Sequence, residues 1–309
     1  MSKIVILGGG GFIGSAVADK LLDAGYHVRI FEHPRVIPYR AFHPGEKLEW
    51  MRGDFHNSAD VDSALYEADA VCHLVSSTVP GNSMENISYD IQSNLTPSVQ
   101  LLNGMQRHGV RRIIFISSGG AVYGPPRYLP LDESHPTNPV VPYGITKLGV
   151  EKYIQMFEHL YGITGIILRV SNPYGARQRP ESGQGAISTF IHRALKNKEL
   201  EIWGDGNVVR DYLFIDDVAT AFERAVRYEG PERIFNIGSG QGKSLNEIIS
   251  ILEILLGQPL KKNYINSRPY DVPVNILNTS RASRELGWSP SVSLNDGLKR
   301  TILALTNSL

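Results

Sequence analysis

Short apolar runs alternate with amphipathic segments through the first half of the chain. Ile4-Val5-Ile6-Leu7 is a continuous apolar run of strand length. Ile13, Val17, Leu21 and Leu22 then fall on one helical face that Gly25 can end, and a second strand follows over His27 to Phe31. The same pattern predicts strands over 48–51, 70–74, 112–116 and 164–168, with helices over 61–66, 95–107 and 148–161. Strand and helix in regular alternation predict a parallel sheet covered on both faces, a doubly wound α/β fold. After Arg169 the order loosens into the turn-rich Asn172-Pro173-Tyr174-Gly175-Ala176-Arg177, a candidate domain boundary. Beyond it, helices are predicted over 187–195, 218–228 and 245–256 among short strands, a smaller mixed α/β unit.

The glycine loop changes that outline into a site. Gly8-Gly9-Gly10-Gly11-Phe12-Ile13-Gly14 follows the first strand and opens the first helix. Glycines in that context permit a tight turn, close approach of a pyrophosphate, and close helix–sheet packing, with the anion at the helix N-terminus. The first unit is thus expected to be a Rossmann-like dinucleotide-binding fold, with Gly8, Gly11, Phe12, Ile13 and Gly14 at the cofactor. Glu32 ends the second strand, where a carboxylate can bind ribose hydroxyls and repel a 2′-phosphate, favouring NAD over NADP. Arg35 stands close by and could receive such a phosphate. Asp54, after the third strand, could reach the adenine or serve as a turn or helix cap.

Tyr143 and Lys147 lie four residues apart, hence on one helix face. An ammonium held near a phenol favours the phenolate and is expected to lower the Tyr143 pKa toward neutrality, making it a candidate general base for a hydroxyl proton.

Composition narrows the partners. Lys plus Arg and Asp plus Glu each number 31, so a nucleic-acid surface is not favoured. The single cysteine, Cys72, lies in an apolar run and cannot form an internal disulfide, which points to a reducing compartment. The start lacks a signal-peptide pattern, and no run is long enough to span a bilayer; a soluble, cytoplasmic protein is expected. The nine histidines are scattered, with no metal-ligand spacing.

The glycine loop, Gly53-Asp54, His73-Leu74, Ser117 to Gly124 and Tyr143-x-x-x-Lys147, in this order, resemble the extended short-chain dehydrogenase/reductase family. Within it the chain is most similar to nucleotide-sugar epimerases that act at C4 of UDP-glucose. Later segments extend the likeness over nearly the whole length: Arg169 to Gly175, Gly204-Asp205-Gly206, Arg210-Asp211-Tyr212, Phe235 to Gly238, Arg268-Pro269-Tyr270-Asp271-Val272 and Leu286-Gly287-Trp288. The resemblance implies an NAD-binding unit over 1–172 with a segment near 211–237 returning to it, and a nucleotide-sugar-binding unit over 173–309. It implies that Tyr143 takes the C4 hydroxyl proton while hydride passes to NAD, giving a transient 4-keto sugar. Lys147 would bind the nicotinamide ribose and depress the Tyr143 pKa. Asp54, Phe55 and Leu74 would also contact NAD. Asn172, Arg210 and Arg268 would hold the nucleotide diphosphate, Asp271 the nucleoside, and Asn275 would gate the sugar pocket. It also implies a homodimer through a four-helix interface, with Leu95, Val99, Leu102, Leu148, Ile154 and Phe157 as apolar stripes that would equally serve an ordinary core, and a role in polysaccharide biosynthesis.

One position departs from the pattern. Related enzymes carry Ser or Thr four residues before the tyrosine of Val122-Tyr123-Gly124, and here that position is Gly119. Ser118, Ser117 or a water could supply the hydroxyl, and Ser118 is the choice as catalytic and sugar-contacting residue. Relatives that eliminate water or carbon dioxide place acids where this chain has Gly120 and Ala121, so neither reaction has its expected acid. The expected activity is C4 epimerisation of a UDP-hexose, UDP-glucose and UDP-galactose first. The alternatives are reduction of a nucleotide 4-ketosugar, or epimerisation of a UDP-N-acetylhexosamine or UDP-hexuronate. A non-catalytic dinucleotide sensor would have no use for Tyr143 and Lys147.

Overall fold

The computed structural model describes residues 2–180, 185–268 and 271–307. Six strands come first: β1 (Lys3–Leu7), β2 (His27–Glu32), β3 (Leu48–Arg52), β4 (Ala70–His73), β5 (Arg112–Ser118) and β6 (Thr164–Val170). Next, β7 (Asn172–Tyr174), β8 (Leu200–Trp203) and β9 (Val209–Phe214) leave this sheet, and β10 (Ile234–Ile237) returns to it beside β6. The seven strands run in the order β10-β6-β5-β4-β1-β2-β3, all parallel. Strand order reverses between β1 and β4, the switch point where a crevice opens at the carboxyl ends.

Alternation along each strand divides the core. Ile4, Ile6, Val28, Ile30, Ile114, Ile116, Ile166 and Leu168 face α1 (Phe12–Asp23) through Val17, Ala18 and Leu21. Val5, Leu7, Phe31, Val71, Ile113, Phe115 and Ile167 face the opposite layer. That layer is α2 (Ser58–Leu65), α3 (Ile87–Asp90), a single wide turn of π-type at Ile91–Leu95, α4 (Thr96–His108) and α5 (Pro142–Tyr161). Cys72 is fully buried on the first face, and burial pushes its thiol pKa up.

The later elements are α6 (Ala186–Leu195), α7 (Ile215–Arg227), β11 (Gly242–Ser244), α8 (Leu245–Leu256), β12 (Lys262–Ile265), β13 (Val274–Asn275), α9 (Ser280–Leu286) and α10 (Leu294–Thr306). β9 pairs with β7, β11 and β13, and β8 pairs with β12. α7 packs beside α1 over the first face, and one apolar cluster runs from that face to Phe190, Ile248, Trp288 and Leu298.

Two helices differ from the pattern's expectation. α5 begins at Pro142, six residues before the predicted start, because proline at the first helical position lacks only an N–H that a helix start leaves unpaired. The helix leading into α4 starts at Ile87, and its wide turn interrupts the 3.6-residue period on which the prediction rested. The six residues named as interface stripes mostly face inward: Leu102, Ile154 and Phe157 are core, and Leu95, Val99 and Leu148 are half-buried. Exposed apolar side chains on these helices are instead Ile87, Tyr89 and Ile91, and Ile145, Tyr153, Met156 and Leu160.

Candidate active site

The glycine loop is a cradle that side chains would fill. Gly8 has φ +83°, which β-carbons disfavour, and a Cβ on Gly14 would sit 2.1 Å from the Gly8 carbonyl oxygen. A Cβ on Gly9 would come within 2.8 Å of the Ile30 side chain. Gly11 caps α1 without a side-chain bond, so the helix opens on bare backbone. Phe12 and Ile13 are half-buried and pack on the core behind it. One Glu32 oxygen accepts from the Gly10 N–H at 2.9 Å and the other from the His33 N–H at 3.0 Å. A loop stripped of side chains, a helix N-terminus and a carboxylate at the end of β2 fit a dinucleotide.

The other expected cofactor residues stand along the same edge. Asp54 is half-exposed; its carboxylate accepts from the His56 N–H at 2.9 Å and contacts the ring Nδ1 at 2.8 Å, and these bonds lower its pKa. This is the turn-forming role that the sequence left open beside adenine contact. The Phe55 ring is buried 5.1 Å from the His73 ring. Leu74 extends β4 by one bond, its N–H donating to the Leu7 carbonyl.

Lys147 and Tyr143 share the inner face of α5. Lys147 is 5 % exposed; its Nζ donates to the Ile116 carbonyl at 3.1 Å and lies 5.7 Å from the centre of the Tyr143 ring. The Ser118 side chain stands close enough to the Tyr143 phenol to act on its titration. Ser117, one residue earlier, donates to Glu151 at 2.5 Å, while Glu151 also pairs with Arg169 at 2.6 Å.

The expectation of a phenol shifted toward neutrality does not hold for the protein alone. Burial, and secondly the Asp90 carboxylate, push Tyr143 up to about 12, with the nearby Ser118 side chain opposing. Burial pushes Lys147 down to about 8, opposed by Asp90 and Glu151. Desolvation favours the neutral form of both acid and amine, so it works against the ion pair that the spacing suggested.

At Gly119 a Cβ would meet Leu277 Cδ1 at 2.6 Å and the Arg169 carbonyl at 3.0 Å, so the missing side chain's place is occupied. The Gly119 carbonyl accepts from Asn275 Nδ2 at 3.0 Å. Asn275 Oδ1 is buried with no partner among the described residues.

The expected nucleotide-sugar residues sit on the second sheet and its loops. Asn172 donates from Nδ2 to the Asp211 carbonyl at 3.0 Å. Arg210 donates to the Val272 carbonyl at 2.6 Å and approaches Asp271 at 3.7 Å; burial lowers its pKa, with Asp271 opposing. β13 places Asn275 opposite Arg210. Arg268 stacks its guanidinium 4.1 Å from the centre of the half-exposed Trp203 ring, within 4.0 Å of where a Cβ on Gly81 would stand. Pro269 and Tyr270 of the same motif lie outside the described residues. Trp203 escaped the sequence reading, although a large aromatic before Gly204-Asp205-Gly206 could have signalled an exposed stacking surface.

A family model, the NAD dependent epimerase/dehydratase family, matches residues 4–238. The chain belongs to this family. It is 32 % identical over 305 residues to the UDP-glucose 4-epimerase of Mycolicibacterium smegmatis, covering 97 % of each chain. It is 32 % identical over 314 residues to the dTDP-4-dehydro-6-deoxyglucose reductase of Escherichia coli, covering 98 % of this chain and 97 % of that one. Among solved structures it matches the UDP-glucose 4-epimerase of Thermotoga maritima, determined with UDP-glucose, at a TM-score of 0.93 and 33 % identity over 99 % of both chains.

As a member of this NAD-dependent family the chain is an enzyme, and the cradle described above fits the family's cofactor. Among the described residues no group of three or more His, Cys, Asp or Glu could hold a metal ion, and no helix is long and apolar enough to cross a membrane.

Proposed function

We propose that the protein interconverts UDP-glucose and UDP-galactose by NAD-dependent epimerisation at C4, through a 4-keto sugar. The observation that carries this reading is Tyr143 on one face of α5 with the buried Lys147 5.7 Å from its ring and Ser118 close by, next to Gly120 and Ala121 rather than acids. Bound NAD supplies a two-electron acceptor that returns the same electrons, together with a cationic ring whose charge favours the phenolate. Tyr143 would remove the C4 hydroxyl proton and return it to the same oxygen once the turned ketone is reduced at the opposite face of C4. Ser118 bridges Tyr143 and the sugar oxygen, and Lys147 reaches the nicotinamide ribose. Asn172, Arg210 and Arg268 anchor the diphosphate, Asp271 meets the nucleoside, and Asn275 borders a sugar free to rotate. Arginine presents planar donors suited to phosphate oxygens.

Pure protein given UDP-galactose and no added cofactor should yield UDP-glucose. Tyr143→Phe should lower kcat by roughly 10²–10⁴-fold while retaining bound NAD. Failure to form UDP-glucose, with NADPH oxidised by a nucleotide 4-ketosugar instead, would establish the reductase reading that the Escherichia coli relative motivates.

Residues 1–172, with the return near 211–237, form the NAD-binding unit in this reading, and 173–309 the nucleotide-sugar unit; the lone buried Cys72 suits a reducing cytoplasm. A homodimer through α4 and α5 of each copy would cover Ile145, Tyr153, Met156 and Leu160, which are exposed in one chain. Sedimentation should give twice the chain mass, and Leu160→Glu should yield monomers; a wild-type monomer would reject the interface.

A further inference from the structure

A carboxylate lies beneath the reacting pair with no role so far. Asp90 ends α3 and is fully buried. Its two oxygens accept from the hydroxyls of Thr78 and Thr146, and Asn94 Nδ2 approaches at 3.4 Å. Asn94 also donates to the Asp90 backbone carbonyl at 3.0 Å, and its Oδ1 accepts from the Ser77 N–H at 2.8 Å. The wide turn at 91–95 carries Asn94 and turns this set toward α5. Asp90, Asn94, Tyr143, Thr146, Lys147 and His73 line one small cavity. Burying a carboxylate is expensive unless hydrogen bonds and an opposite charge compensate it. The hydroxyls supply the bonds, and Lys147 is the cation facing the same cavity.

We propose that Asp90 is a positioning residue, the buried counter-charge that keeps Lys147 an ammonium and sets the pH window in which the Tyr143–Lys147 pair works. The role rests on the proposed proton transfer at Tyr143. The other titratable groups facing this space are few. Burial holds His73 neutral, with its pKa near 3, and Glu151 is already paired with Arg169. Asp90 raises the pKa of both Tyr143 and Lys147. Removing its charge should therefore lower both. The acid limb of activity, which needs the phenolate, and the alkaline limb, which needs the ammonium, should move the same way.

The test is the pH profile of kcat for the holoenzyme and its Asp90→Asn and Asp90→Glu variants. Asp90→Asn should move both limbs toward acid by about one pH unit, the size of a close-charge effect. Asp90→Glu should leave them in place. Asp90→Ser carries the same expectation as Asp90→Asn should the amide variant fail to fold. A profile lowered at every pH with its limbs unmoved would make Asp90 a packing group and overturn the proposal. Ultraviolet titration of the Tyr143 phenol, as a difference from Tyr143→Phe counterparts, reads the same shift without substrate. It thus separates failure of this inference from failure of the epimerase reading.

Discussion

On the dinucleotide side of the cleft the working groups are backbone: Gly8 at positive φ, the bare first turn of α1, and the Gly10 N–H held by Glu32. On the side proposed to hold the nucleotide sugar they are side chains carried by short strands and loops, with Arg210 leaning on Val272 and Asp271, and Arg268 stacked on Trp203. The two constructions fail differently. A backbone cradle is specified by what must be absent, so one methyl group can break it. A side-chain wall is specified by donors that also brace their own loop, so a loss there weakens binding before it stops chemistry.

The largest effect is expected at Gly14. A Cβ there would lie 2.1 Å from the Gly8 oxygen and 2.7 Å from the Gly9 Cα, both backbone atoms that cannot swing aside. Gly14→Ala should cost about 1–3 kcal/mol of stability, as overpacking does, and the purified protein should carry little NAD. Gly11→Ala sharpens the contrast. Gly11 has φ −77° and its Cβ would meet only the Gly8 oxygen, at an ordinary 3.4 Å. That variant should melt within about 0.5 °C of the wild type, under the roughly 1.5 °C that 1 kcal/mol shifts a chain of this size, and lose affinity for added NAD alone. Equal melting temperatures for the two variants, read by calorimetry, would mean that the loop yields and that its glycines are not set by packing.

The same contrast explains what could be read from the sequence. The six leading strands, the loop and the Tyr143–Lys147 spacing were legible because apolar runs, glycines and a four-residue interval are each direct consequences of backbone geometry. α9 and α10 passed unnoticed: α9 spans only seven residues, and the start of α10 is marked only by Ser293, which caps it by accepting from the Asp296 N–H, a signal confined to one turn. Ser118 and Ser117 were indistinguishable in sequence, although the structure gives Ser117 to Glu151 and leaves Ser118 beside Tyr143. Asp90 was hidden more deeply. Its partners Thr78 and Thr146 come from a loop and a helix far away in the chain, and the wide turn beside it has no apolar signature. The depressed phenol pKa was expected from spacing alone, because an interval between residues conveys nothing of desolvation, and desolvation outweighs the pairing in the protein by itself.

A smaller effect is expected at Arg210, where the side-chain wall can be separated from a mere strut. Its Nη1 donates to the Val209 carbonyl at 3.0 Å and the Val272 carbonyl at 2.6 Å, and its Nη2 faces Asp271 at 3.7 Å. A guanidinium has five N–H donors, so this engagement leaves capacity for a diphosphate oxygen. If Arg210 binds the diphosphate equally in ground and transition states, Arg210→Ala should raise KM for the UDP-sugar roughly 10–100-fold with kcat little changed, the signature of lost uniform binding. The size follows from a charge-assisted hydrogen bond of about 1.5–3 kcal/mol. Arg210→Lys should recover part of the affinity, because it keeps the charge while losing the planar fork. If instead both variants bind the nucleotide sugar normally and only melt earlier, Arg210 braces the 271–272 segment and the anchor for the diphosphate must come from Arg268 and Asn172.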